Sequence, residues 1–526
     1  MGWDRVKNTK SYFLRNFWGG WFPGKTYNDI PGSLEDEGPI GASECDNVIW
    51  YDGALRKLFM YNNVNTVALN SGATVTGIYY SIVLNAWVAV AGDKFYSGAD
   101  GATPTNRTGA LTITAGNLNH WADWQFETNK YLISVNQADV PFKWTGSGNA
   151  SALGGSPPSG KYVATWQNAA WIANTTSEPS TLYFSNLGDP EVWTADDDYK
   201  FNAPITGLMP FGKMLIVFME NDIGVLVGDN NRLLTKVDGF VRGVGAPSGY
   251  SVAAAKIAEE DVVVFHSNDG VKLFTGAQQP ISLSAPIQNK YTTGSEITAF
   301  NAARFNQTSG AYIPKLGWYF LGLPDGADTT NLFGLMVDLS KIYDYQGASV
   351  APHWPVEDPS KAFVSMAVNP NAALDDCLMF GSTDGFIYKF DTDLFTQDGT
   401  TYVADFRSKV FDLGANHILQ ELNVLGTTTS SASSTLVGAV FDSILGTGSS
   451  ESQTFQETGD TLDVTFMMDS SQVSGVGSTD FRNYGVGGSG RFLKFVIQND
   501  ESAQEMVVNG LNCILTTISL DSQKAT

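Results

Sequence analysis

The feature that most constrains this chain is a hairpin that recurs seven times. In each, an apolar strand runs into a turn containing Asn, Asp or Gly and a second strand follows, which in all but one carries an aromatic. The units lie at 87–96 (WVAVAGDKFY), 131–144 (YLISVNQADVPFKW), 171–184 (WIANTTSEPSTLYF), 214–227 (MLIVFMENDIGVLV), 262–274 (VVVFHSNDGVKLF), 318–337 and 378–390 (LMFGSTDGFIYKF), starting about 40 to 60 residues apart. Two of them carry Asp-Gly between the strands, at Asp269-Gly270 and Asp384-Gly385, a pair that supplies the positive φ angles of a tight hairpin. Further short apolar stretches at 162–166, 205–209, 251–257 and 362–368 precede hairpins, which makes three or four strands per unit. A four-stranded unit of this length cannot bury both faces alone, so it packs against its neighbours and closes into a ring. The pattern predicts a β-propeller of six to eight blades over residues 66–400, with unrelated hairpins in stacked sandwiches as the alternative.

Hydrophobic residues make up 43% and charged residues only 16% of the chain, which excludes a disordered acidic tail and a charged helical bundle. The 54 Gly and 20 Pro follow no three-residue period, which excludes collagen and fits many turns. The expected class is all-β. The flanks differ in texture. Residues 1–65, rich in Trp, Phe, Tyr, Gly and Pro, read as an extended N-terminal arm and first hairpin that docks on its own propeller or on a neighbouring subunit. In 401–526, Ser, Thr and Gly runs separate alternating strands at 421–425, 436–441, 462–467, 492–497 and 511–518, which predicts a C-terminal antiparallel β-sandwich.

Lys plus Arg number 31 against 54 Asp plus Glu, a net charge of −23 with no basic cluster. Holding nucleic acid by its phosphates needs the opposite balance, whereas an acidic wall repels a polyanion and lets it slide; ordinary solubility explains the same charge. Cys45, Cys377 and Cys513 are distant and odd in number, so no disulfide framework is expected and a reducing site of synthesis is. No leader-like apolar region opens the sequence and no apolar run reaches membrane-spanning length, so no membrane anchor is expected.

Four motifs bear on chemistry. Gly19 to Thr26 fits GxxxxGK[ST], but Asn28-Asp29-Ile30-Pro31-Gly32 would break the helix a phosphate loop must open. Gly485 to Gly490 fits GxGxxG, but a strand rather than a helix follows, and a loop is expected. The Asp-Gly hairpins resemble the Asp boxes of sialidase-type propellers, which would imply a glycosidase with two carboxylates; Asp and Gly are adjacent here, which favours plain turns. Asp196, Asp197 and Asp198 could offer oxygens to calcium, without the spacing of a calcium loop, or form a solvated turn. His120, His266, His353 and His417 are scattered, and neither HExxH nor GxSxG occurs. No catalytic residue, cofactor or metal is therefore expected, and the chain does not read as an enzyme.

Two stretches resemble a known family. Gly19-Gly20 leads to Asn28-Asp29-Ile30-Pro31, then Glu44-Cys45-Asp46-Asn47-Val48 and Asp52-Gly53-Ala54-Leu55-Arg56-Lys57, similar to the opening of many bacteriophage tail proteins. Leu182-Tyr183-Phe184-Ser185-Asn186-Leu187-Gly188-Asp189-Pro190-Glu191-Val192-Trp193 is similar to a segment of phage propeller proteins. The family resembled is the tail nozzle, or tail hub, protein of short-tailed phages, also described as a packaged-DNA stabilisation protein. Leu58-Phe59-Met60 departs from the Arg-Pro-Gly usual there. The resemblance implies a structural virion protein, made in the bacterial host cytoplasm, that assembles as a homohexameric ring. The ring would lie below the tail adaptor, meet the needle, fibre or tailspike proteins, and extend the channel through which DNA passes without sequence-specific binding, retaining the packaged genome and serving its ejection. It also implies roles: Trp18, Trp21 and Phe22 anchoring the arm, Asp189, Pro190 and Trp193 fixing a blade corner, and Asp196, Asp197 and Asp198 facing a channel or an ion. The competing expectation is a carbohydrate-binding receptor protein or depolymerase, since 13 Trp and 20 Tyr offer faces on which sugars stack.

Overall fold

The structure is a computed structural model that describes residues 9–98, 104–294, 297–357, 361–374, 377–427, 436–442, 451–453, 479–499 and 506–517. The chain divides into two compact units. One comprises Tyr61–Ala351 and Glu357–Asp393, the other Met1–Met60, Pro352–Val356 and Leu394–Thr526.

The first unit is a β-propeller. Sheets follow one another at 75–106, 120–152, 160–200, 205–242 and 253–282, each with four antiparallel strands. In the sixth sheet this unit supplies Ser309–Ile313, Trp318–Leu323 and Phe333–Asp338. The seventh consists of Ser365–Val368, Leu378–Gly381 and Ile387–Phe390, and its outer strand is Tyr61–Asn63, from the other end of the sequence. The ring is thus clasped by an N-terminal strand, with Tyr61 opposite Phe390. The sequence pattern places Tyr61–Asn63 in the arm because a strand of three residues shows no period of its own, and its partner lies at the far end of the propeller.

All seven recurring hairpins become the second and third strands of their blades. In the two Asp-Gly turns only the glycine is left-handed, Gly270 at φ 127° and Gly385 at φ 81°. The turns are therefore not the doubly positive type that the dipeptide suggests.

Adjacent blades share apolar cores, because each sheet is apolar on both faces. Trp166, Trp171 and Phe184 of the third blade pack with Leu208, Leu215 and Val217 of the fourth. Val88 and Phe95 of the first meet Trp121, Leu132 and Trp144 of the second. Met379 and Ile387 of the seventh meet Val75 and Trp87 of the first, which completes the circle. The fully buried Trp171 satisfies its indole N–H by donating to the Trp166 carbonyl at 3.0 Å, as a buried polar atom requires.

The second unit joins both ends of the chain in one eleven-stranded hydrogen-bonded sheet. Thr9–Leu14 pairs antiparallel with Val507–Thr517, and Gly41–Asp46 pairs with Ala404–Ser408. Gly20–Trp21 lies parallel to Gly41 and Ala42. The opening of the chain is therefore built into a sheet rather than extended as an arm. Gly20 has φ 85°, and a Cβ there would stand 2.8 Å from the backbone of Pro352 and His353, so this turn needs glycine.

The expected C-terminal sandwich takes the form of this single sheet, bent by strands that change partner. Thr479–Asn499 pairs along 479–493 with Phe411–Thr427, then along 496–499 with Ala404–Ser408. Register breaks between Asp412 and His417 and between Leu419 and Glu421 let the sheet turn a corner, as in orthogonally packed sheets. The expected strand at 462–467 lies outside the described residues. Residues 485–490, expected in a loop, lie within the long strand Thr479–Asn499, so no helix N-terminus is present there to receive a pyrophosphate.

Candidate functional site

The third blade brings Asp189, Pro190 and Trp193 into one corner. After Thr181–Asn186 the chain turns at Leu187-Gly188 and returns as Asp189–Lys200, the outermost strand. The Asp189 carboxylate accepts the Glu191 N–H at 3.0 Å, Pro190 is buried, and the Trp193 indole N–H donates to the Pro190 carbonyl at 2.8 Å. The Trp193 ring is half-buried against the core shared by the second and third blades, which includes Trp124 and Val163. Between them, Glu191 accepts the Gly154 N–H at 2.8 Å and pairs with Lys143. Burial alone would raise the Glu191 carboxyl, but Lys143 and the Gly154 amide hold it below its ordinary value.

Asp196, Asp197 and Asp198 sit further along the same outer strand, where the ladder is interrupted between the Ser185–Trp193 and Tyr183–Asp198 pairs. Asp196 is exposed and Asp198 half-buried. Asp197 turns inward, where the Arg232 guanidinium from the fourth blade donates to both its oxygens at 3.0 and 2.6 Å. Arg232 also reaches the Asn186 side chain at 3.4 Å. The three carboxylates thus diverge. Among the described residues no group of three or more His, Cys, Asp or Glu side chains is placed to hold a metal ion. The innermost strands of neighbouring blades abut one another around the axis, and the trio lies on an outermost strand instead. The trio therefore does not line the propeller's own axis, and among the described residues it forms no ion cage.

In the second unit Trp18 and Trp21 are half-buried, and Phe22 is wholly buried. The preceding Phe17 ring packs on Trp50 at 6.4 Å and Phe406 at 5.6 Å between centroids, and the Phe22 N–H donates to the Ala42 carbonyl at 2.8 Å. Phe22 is therefore core of its own unit, not a side chain free to anchor on a neighbour. No helix follows Lys25-Thr26, and the Thr26 hydroxyl donates to Asp29 at 2.6 Å, which removes the phosphate-loop geometry.

A cluster that the sequence reading missed lies at the axis. His120 and Lys161, from the incoming ends of the second and third innermost strands, meet Tyr162 and Tyr250. Ring centroids are 5.5 Å apart for His120–Tyr162, 5.7 Å for His120–Tyr250 and 5.6 Å for Tyr162–Tyr250. The Lys161 ammonium stands 5.4 and 5.8 Å from the two tyrosine rings, within cation–π range. Tyr250 belongs to the connection between the fourth and fifth blades, and its hydroxyl donates to the Leu118 carbonyl, just ahead of the second blade, at 3.1 Å. In a seven-bladed ring the second and fifth blades face each other, so Tyr250 reaches across the axis.

Burial dominates the chemistry of this cluster. It pushes the Tyr162 and Tyr250 hydroxyls up and the Lys161 ammonium down, and with the Lys161 charge it lowers His120 to about 4. The imidazole is thus neutral at physiological pH. The cluster braces the second and third blades against the connection between the fourth and fifth. Only the aromatic residues at 162 and 250 hint at it in the sequence, and nothing there shows that Tyr250 crosses to the opposite blade.

No family model matches the chain, and no curated protein matches it. Among solved structures the chain is similar to Kluyveromyces lactis Hsv2, at 9% identity and a TM-score of 0.34, over 64% of this chain and 93% of that one. Among the described residues no helix is long and apolar enough to cross a membrane.

Proposed function

We propose that this chain is a structural component of a bacteriophage tail, a subunit of a homohexameric nozzle ring that extends the DNA path below the adaptor and makes or breaks no covalent bond. The observation that carries the reading is the segment 182–193, which resembles phage propeller proteins in sequence. Its Gly188-Asp189-Pro190 turn is braced by the Trp193 indole on the Pro190 carbonyl and by Glu191 between Gly154 and Lys143. In this role the propeller is a rigid block. Its axis is bridged by Tyr250, so DNA passes between subunits rather than through a propeller, beside a surface whose net charge repels it.

Antibody-gold labelling of intact virions, combined with copy number per particle, tests the proposal. Label at the tail with about six copies, as closure of a six-fold ring requires, is the expected result. Label on peripheral fibres, or none on the virion, would overturn it and move the weight to a sugar-binding propeller.

A further inference from the structure

Among the described residues large apolar side chains are sparsely exposed, with one concentration. Among the described residues eleven are exposed, and five of them, Leu187, Val192, Val227, Leu233 and Val237, belong to the outer edges of the third and fourth blades. Leu187 is 62% and Leu233 79% exposed. The Arg232 guanidinium binds Asp197 and reaches Asn186, which ties the turn that carries Leu233 to the turn that carries Leu187 across the blade boundary. Gln167, from the turn beside Leu187, donates to the Gly228 carbonyl and makes a second tie at the same place. Scattered apolar residues on a surface need no explanation, whereas a gathered patch does.

The unpaired charge around the patch is predominantly acidic, with Arg242 at the far end of the fourth blade's outer strand as the exception. Lys200, Arg232 and Lys236 are each engaged by an acid, respectively Glu178, Asp197 and Asp238. Asp189, Asp196 and Asp229 are exposed and have no cation partner among the described residues. Carboxylates on an outermost strand protect its open edge from pairing with another strand, which accounts for the acids but leaves Leu187 and Leu233 in water without a reason. Two copies meeting through this face would bring like charges together, and electrostatic complementarity selects a partner of opposite sign.

We propose that this rim is a docking surface for a different protein, one that presents an apolar side chain framed by lysine and arginine. In the tail reading, on which only the location of the partner rests, the occupant is a neighbouring virion protein and not a second copy of this chain.

The test is site-specific photocrosslinking of the full chain in producing cells. A benzophenone amino acid replaces Leu233 or, separately, Leu187, and both particles and soluble fraction are examined. The expected result is an adduct with a different polypeptide, through a segment where Lys or Arg flanks an apolar residue. Its yield should drop about tenfold or more in the triple variant Asp189→Lys, Asp196→Lys, Asp229→Lys, with the thermal melt of that variant showing that it remains folded. An adduct with a second copy, no adduct at either position, or an adduct indifferent to charge reversal would overturn the proposal. An adduct of the expected chemistry found only outside particles would uphold the docking surface and count against the tail reading instead.

Discussion

In the propeller, His120–Phe126 pairs with the next strand along, Asn129–Val135, whereas in the other unit Thr9–Leu14 pairs with Val507–Thr517. A hairpin closes a short loop before its hydrogen bonds form, while the second sheet must first bring together residues separated by most of the chain. The clasp reconciles the two. Because Tyr61 lies opposite Phe390, a closed propeller delivers the segments before 61 and after 390 from adjacent points, which shortens the effective loop the second sheet has to close. Local pairing in one unit should thereby assist non-local pairing in the other.

The strongest way to break this comparison is Tyr61→Ala. The Tyr61 ring is fully buried, with centroids of Phe380, Tyr388 and Phe390 at 4.8, 5.4 and 5.5 Å. Removing it should cost about 3–5 kcal/mol and, in hydrogen exchange, expose Ile387–Phe390 together with the Thr9–Leu14 and Val507–Thr517 pair. Unchanged protection in that pair would show that the two units form independently.

Phe22→Ala probes the reverse direction. Truncating this buried ring should cost about 3 kcal/mol and loosen the strands at 9–57 and 404–517 while leaving amides around Trp171 protected; loss of protection in both would mean that the propeller also depends on the sheet. Trp21→Ala, at a half-buried position, should cost about 1 kcal/mol.

A third effect belongs to the propeller. Burial lowers His266 to about 3 and His120 to about 4, whereas both rings protonate near pH 6.5 in the unfolded chain. Their contribution to stability is complete above pH 6.5 and is lost as pH falls toward 4, with a slope of about 1.4 kcal/mol per pH unit for each ring. Denaturant melts from pH 7 to pH 4.5 should show that slope flattened by His120→Gln and His266→Gln. An unchanged slope in both variants would locate the acid sensitivity in the carboxylates.

The smallest effect is expected at the rim. A double-mutant cycle on Asp197→Asn and Arg232→Ala should give only a weak coupling, since the arginine is 60% exposed, and it should weaken further in high salt. A much larger value would make this ion pair a structural joint between blades rather than a clamp on the patch.

What was legible in the sequence follows the same division. The seven hairpins could be read because each carries its pattern within about twenty residues, and the strand that precedes a hairpin shares its apolar texture. The clasp at Tyr61–Asn63 and the sheet built from residues 9–57 and 404–517 could not, because their partners are remote and Gly20, Phe22 and Gly41 look like an irregular loop until paired. The corner at Asp189, Pro190 and Trp193 is a local turn and was readable. Asp197 was not distinguishable from Asp196 and Asp198, since what sets it apart is Arg232 in the next blade. The axial cluster depends on Tyr250 reaching Leu118, a contact between segments that share no pattern.

The clasp also sets a clock for synthesis. Tyr61–Asn63 leaves the ribosome long before Ile387–Phe390 does, and at about 5–20 residues per second the delay is on the order of tens of seconds. For that interval the last blade has its outer strand but no sheet to receive it, while six hairpin sets emerge and compete for the same edge. That the early strand is only three residues long, Tyr61, Asn62 and Asn63, limits how firmly it can pair with the wrong one before its partner exists.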